Sequence, residues 1–155
     1  MAGREPTKGR QLGRLGPEPL ELKLAAFRQV LARKRQIKAL LLDQTAIAGL
    51  GNIYCDEALH AAAVHPLTRA DTLDARQARR LLAGIQSTLN RAIRFNGTTL
   101  LDYRQPDGRE GDFRRHHQVY GRAGGPCRGC KTPIVRELIA GRSTFFCPMC
   151  QPQGR

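Results

Sequence analysis

Two Cys-x-x-Cys pairs, Cys127/Cys130 and Cys147/Cys150, stand 16 residues apart in the last part of the chain. No other feature constrains the fold as tightly. Each pair bends the backbone so that two sulfurs face one point, and the residues between fold back to bring the second pair to the first. Four thiolates so placed match tetrahedral Zn²⁺. The 24 residues from Cys127 to Cys150 are too few to hold a hydrophobic core of their own. Metal ligation, about 10–16 kcal/mol in small zinc peptides, supplies the missing folding energy. The competing reading is two disulfides. Paired knuckles in a chain without a signal-peptide pattern fit a reducing cytoplasm and favour one structural zinc ion.

Within this frame Ile134–Ile139 reads as one strand and Thr144–Phe146 as the next, with Ala140-Gly141-Arg142-Ser143 as the hairpin tip. Arg142 at the tip is either a hand held out to a partner or a solvated turn residue, and this stretch alone does not choose.

The 155 residues carry 41% apolar side chains, 5% aromatics and no Trp, enough for one medium domain or a small core domain plus the zinc hairpin. No apolar run is long enough to span a membrane and the polar N-terminus lacks an h-region, so a soluble, cytoplasmic protein with no membrane partner is expected. The formal net charge is +13. It divides as +3 over residues 1–16, +5 over 17–120 and +5 over 121–155, so the excess is densest at the two ends. A polyanion, nucleic acid first, is the expected partner.

Residues 1–16 have no periodicity and read as a flexible basic arm. Pro17 and Pro19 then open an ordered segment. Leu20, Leu24, Phe27 and Leu31 share a helical face, and Arg33-Lys34-Arg35 meet the negative end of that helix. A second helix covers Ile37 to about Asp43. Gly49 and Gly51 then interrupt the helical pattern, and Asn52 follows as an N-cap candidate. Asp56 and Glu57 suit the positive end of the third helix, whose inner face includes Ile53 and Leu59 and which stops before Pro66. Gly51-Asn52 at a helix start either grips a phosphate or makes a tight turn with a routine cap; both stay open. Asp74-Ala75-Arg76-Gln77 is a capping box for a long helix with Leu81, Leu82, Ile85, Leu89 and Ile93 on one stripe, ending at Gly97. Thr98–Tyr103 form a further turn, 104–117 a mobile polar loop, and Gln118-Val119-Tyr120 a short strand. The fold class expected is mainly α, a helical bundle followed by a β-hairpin four-cysteine zinc ribbon. Its divisions are a basic arm 1–16, a helical domain 17–117 and a zinc-finger hairpin 118–152.

Several motifs stand in one order: LGPEPL (Leu15–Leu20), LLDQTAIAGLGNIYCDEAL (Leu41–Leu59), His65-Pro66, NGTTLLDY (Asn96–Tyr103), QVYGR (Gln118–Arg122) and the cysteine frame with AGRSTFFCPMCQ. Together they closely resemble the C-terminal half of the formamidopyrimidine-DNA glycosylase/endonuclease VIII family, over roughly Leu15 to Gln151. The resemblance implies a helix-two-turn-helix domain and a zinc finger that clasp DNA beside a flipped-out nucleotide. It implies that Gly51 and Asn52 of the Gly-Asn-Ile-Tyr turn and Arg142 at the hairpin tip bind phosphates, with a part for Arg142 in δ-elimination after base removal. A guanidinium suits that task because its fork grips a phosphate through two parallel bonds. Pro106–Phe113 resembles the segment that closes over an oxidised purine.

The pattern departs at the nucleophile. The family's N-terminal proline followed by glutamate has no match, since Ala2-Gly3 follow Met1 and Glu5-Pro6 is reversed. The expected function is therefore a zinc-dependent binding module for double-stranded, damaged or abasic DNA, bacterial and nucleoid-associated, with no small-molecule substrate and no glycosylase activity of its own. The alternatives are a glycosylase/AP lyase whose catalytic half lies elsewhere, and an RNA-binding or protein-interaction zinc ribbon. Cys55 and Tyr54 are expected in the core, Glu57 as support for a helix start, and His116-His117 outside a metal shell that four thiolates already fill.

Overall fold

A computed structural model describes residues 15–94 and 116–153. Of the arm expected over residues 1–16, residues 1–14 lie outside the described residues, as do the helix stop at Gly97, the turn at Thr98–Tyr103 and the segment Pro106–Phe113, while Gly16 is bonded to the bundle rather than part of a free arm. Four helices come first: α1 (Leu24–Leu31), α2 (Ile37–Leu42), α3 (Asn52–Ala61) and α4 (Ala75–Arg94). A two-stranded antiparallel hairpin follows, β1 (Val135–Ile139) and β2 (Arg142–Phe146). The architecture is the mainly α bundle with a terminal β-hairpin that the residue pattern implies. Among the described residues no helix is long and apolar enough to cross a membrane.

The chain enters through Leu15-Gly16-Pro17. Gly16 donates its N–H to the Gln44 carbonyl and Ala48 donates to that of Pro17. A Cβ on Gly16 would stand 2.5 Å from the Ala46 backbone, so only glycine permits this approach. The first helix begins later than its apolar spacing indicates. Pro19 opens a 3₁₀ turn, Pro19–Glu21, and α1 starts at Leu24. Leu22 rather than Leu20 enters the core: Leu22 is 7% exposed and Leu20 41%. The first N–H groups of α2 are met by the loop ahead of α4, Ile37 donating to the Thr68 carbonyl and Lys38 to that of Pro66.

The long helix α4 carries its capping box as read: Gln77 N–H donates to Asp74 Oδ1 at 2.8 Å and Asp74 N–H to Gln77 Oε1 at 3.0 Å. Replacing Asp74 by Ala removes the acceptor of the Gln77 N–H and leaves the backbone N–H of residue 74 in place, and we expect a stability loss of about 1 kcal/mol, measured by urea denaturation. Leu81, Leu82, Ile85 and Leu89 are buried as their stripe requires, but Ile93 is 61% exposed and Ala92 takes the inward position. Three residues beyond Leu89 stay on the inner face of a 3.6-residue helix, whereas the fourth rotates away from this core. Midway along α4, Gly84 lies against α3, where a Cβ would stand 3.0 Å from the Ala58 carbonyl oxygen and 3.4 Å from Ala61 Cβ. The glycine sacrifices some helix propensity and in exchange lets the two helices meet closely.

Between α2 and α3 the backbone is braced by two side chains. Asp43 accepts from Thr45 N–H and Oγ1–H and from Arg35, and these bonds hold its carboxyl down to about 2. Gln44 accepts from the Gly49 N–H at 2.7 Å and donates to the Leu50 carbonyl. Gly49, at φ +76°, turns the chain into α3. One core unites the inner faces of all four helices, and a second, smaller cluster of Val119, Cys127, Ile134, Phe145 and Cys147 underlies the hairpin.

Candidate functional site

The helix α3 is the seat on which the hairpin rests. Asn52, Asp56 and Glu57 face the zinc-binding segment, and each bonds to it. At the N-terminal end Asn52 Nδ2 donates to the Ser143 carbonyl at 3.0 Å. One turn on, Asp56 accepts from the Phe145 N–H at 3.0 Å through Oδ2 and from Lys38 Nζ at 2.5 Å through Oδ1. Glu57 accepts three consecutive backbone donors, Gln118 N–H through Oε1 and Val119 and Tyr120 N–H through Oε2, at 2.7–2.9 Å. Gln151 closes the far side, accepting from Cys147 N–H and donating to the Val64 carbonyl.

Two sequence expectations are corrected here. Asn52 does not cap α3: the cap position is Gly51, without a side-chain bond, because the Asn52 amide reaches across to the hairpin instead. Asp56 and Glu57, expected to suit the positive end of the helix, lie beyond the first turn of α3. They are 1% and 5% exposed, and their carboxylates satisfy backbone donors of another segment. The same bonds explain why Gln118-Val119-Tyr120 is not a strand. Its N–H groups point at one carboxylate rather than at a neighbouring strand. A signal for the seat was present in Lys38, a single charge on the apolar stretch Ile37–Leu42, whose burial demands a counter-ion. Both members of the Lys38–Asp56 pair are fully buried.

The hairpin turn is tighter than its residues indicate. Ile139 pairs with Arg142, leaving Ala140 and Gly141 as the turn, at φ +54° and +74°. Positive φ at both positions is the I′ geometry that matches strand twist. Arg142 therefore begins β2 and is exposed, next to the half-buried Ser143. Ser143 is the junction that residue patterns missed. Its carbonyl accepts from Asn52 and its hydroxyl from Arg136 at 2.7 Å. Through it the structure brings the start of α3 and the hairpin tip together, 91 residues apart in sequence.

The four cysteine sulfurs lie within 4.8 Å of one another. Cys127–Cys150, Cys130–Cys150 and Cys130–Cys147 are separated by 3.8, 3.6 and 3.5 Å. A tetrahedral zinc with Zn–S near 2.3 Å needs sulfurs about 3.8 Å apart, so the donor set fits one ion. Thr132 holds the Cys130 thiol down to about 6, whereas burial pushes Cys150 up to about 12; binding zinc thus releases protons. His116 and His117 are not part of the cluster. Cys55 and Tyr54 are core residues, and burial pushes the Cys55 thiol up, leaving it inert.

Fold and site define a helix-two-turn-helix module carrying a four-cysteine zinc finger. Residues 15–103 match the formamidopyrimidine-DNA glycosylase H2TH domain, and residues 124–153 match the zinc finger found in FPG and IleRS. The chain belongs to the formamidopyrimidine-DNA glycosylase family. It is 50% identical over 151 residues to the formamidopyrimidine-DNA glycosylase of Heliobacterium modesticaldum, covering 96% of this chain and 53% of the relative. Against the Thermus thermophilus MutM (Fpg) crystal structure it superposes with TM-score 0.82 at 48% identity, covering 92% of this chain and 55% of that one. Lactococcus lactis Fpg, solved with DNA containing an abasic site, gives TM-score 0.81 at 36% identity over 90% of this chain and 52% of that one. The chain thus spans about half the length of the relatives it matches, corresponding to their C-terminal half.

Proposed function

We propose that this chain grips the phosphates of damaged or abasic double-stranded DNA, with Gly51 and Asn52 at the start of α3 on one side and Arg142 on the other. The observation that carries this reading is the Asn52–Ser143 contact, which sets an amide and a helix N-terminus beside the exposed Arg142. A helix N-terminus offers N–H groups and a positive dipole end to an anion, and the guanidinium adds a forked, charged donor. The net charge of +13 supplies the long-range attraction. The Lactococcus relative, solved with abasic-site DNA, supports the substrate class. The role proposed for these residues is DNA binding, without a glycosylase activity of their own.

A gel-shift titration of the zinc-loaded chain against an abasic-site duplex tests the reading. With ~4–6 phosphates neutralised, log affinity falls against log salt with a slope of about −4 to −5. Asn52→Ala and Arg142→Ala are each expected to weaken binding about 10- to 100-fold, and Arg142→Ala also flattens the salt slope by about one. Absence of binding at low salt rejects the proposal.

A second reading has support in the length relation. A chain half the size of glycosylase relatives to which it is 50% identical is also what one part of a glycosylase/AP lyase would be, its catalytic half supplied elsewhere. Borohydride trapping on abasic DNA separates the two, since a covalent adduct requires an amine nucleophile.

A further inference from the structure

We propose that His60 is an outer-shell hydrogen-bond donor to the metal-bound Cys127 thiolate, so that α3 secures the zinc ion as well as the hairpin. His60 lies in the last turn of α3, one turn beyond Asp56 and two beyond Asn52. Its Nε2 stands 3.8 Å from Cys127 Sγ, and Cys127 is fully buried. Four thiolates around Zn²⁺ carry a net charge of −2. At the buried Cys127 and Cys147 that charge is cut off from water and requires N–H or O–H donors on the sulfurs. The hairpin supplies one of them itself, the Cys150 N–H to Cys147 Sγ at 3.3 Å, and the Thr132 hydroxyl, which accepts from the Cys130 thiol at 3.2 Å, can turn its own O–H to that sulfur once it is a thiolate. His60 reaches Cys127 from the other side of the interface, so a hairpin lifted off α3 loses this donor.

With its proton on Nε2, the imidazole donates to sulfur and draws charge from it. It is not a fifth ligand, since it lies outside the four-cysteine group and four sulfurs complete the tetrahedron. This role belongs to the metal centre and stands whether or not the chain binds DNA. The finger itself is a family feature; the contact between His60 and its shell is read from this chain alone.

The test is zinc release from the full chain into a chromophoric chelator. Outer-shell partners of metal ligands typically contribute 10- to 100-fold in metal affinity, so His60→Ala is expected to release zinc about 10-fold faster. His60→Gln, which still presents an N–H, is expected to fall between Ala and the unsubstituted protein. Unchanged release in His60→Ala overturns the proposal. So does equal acceleration in Ala and Gln, which reports lost packing rather than a lost donor. If the variants do not fold by circular dichroism, the unsubstituted chain loaded with ¹¹³Cd decides. Scalar coupling between cadmium and the His60 Nε2 proton, transmitted through sulfur, supports the bond; its absence in a spectrum resolving the cysteine Hβ couplings overturns it.

Discussion

Stripping zinc from this chain is expected to unfold the hairpin from Cys127 to Cys150 while α1 to α4 stay folded. The two parts differ in what holds them. The helices share an extensive core of their own, from Leu22 to Ala92. The hairpin has Val119, Ile134 and Phe145 beneath it, and the other two members of that cluster are the ligands Cys127 and Cys147. These three apolar side chains, with the buried Ile139 and Phe146, contribute at most about 2–3 kcal/mol each, well short of the entropy of ordering some two dozen residues at about 1–2 kcal/mol apiece. Metal binding of about 10–16 kcal/mol is the dominant remaining contribution. Chelation followed by amide hydrogen exchange measures this directly: protection is lost in β1 and β2 and kept in α3 and α4. Cys127→Ser should reproduce the effect. Retained protection in the metal-free hairpin would show that docking on α3 suffices without zinc.

The second large effect is expected at Asp56. Asp56→Ala leaves Lys38 charged, fully buried and without its counter-ion, and leaves the Phe145 N–H without its acceptor. Breaking a buried pair from one side costs about 3–5 kcal/mol, to be read from denaturant unfolding of the zinc-loaded chain. The double replacement Lys38→Met with Asp56→Leu should recover most of that loss, because desolvating both charges is itself expensive. The Asp56 carboxyl reports the same expense. Burial pushes it up to about 6, although Lys38 and the Phe145 N–H favour the charged form. Between about pH 4 and pH 6 the folded chain therefore holds this proton more tightly than the unfolded chain. The contribution of Asp56 to stability is full below that window and is lost as pH rises through 6. Recovery of stability in the double variant would show that the loss in Asp56→Ala is the cost of charge burial.

Residues close in sequence announced their structure. The cysteine spacing predicted a metal-clasped hairpin, and the Asp74–Gln77 box and the leucine stripe behind it predicted α4, because capping and amphipathic periodicity act within a few residues. Leu20, Ile93 and the segment Gln118–Tyr120 depart from their local patterns for a related reason. Whether an apolar side chain turns inward, or an N–H finds a strand, depends on what stands opposite, and periodicity does not identify that neighbour.

The sequence by itself determined a zinc-held hairpin, a helical bundle and a glycine turn opening a helix, since each rests on short-range chemistry. Only the tertiary structure decided what joins them. Asn52 meets Ser143, Asp56 meets both Lys38 and Phe145, and Glu57 holds three amides of a segment some sixty residues away. A carboxylate on a helix reads the same whether it faces water or a buried N–H. Folding removes the water, and an unpaired donor or acceptor in that dry interface is then costly enough to fix where the hairpin sits.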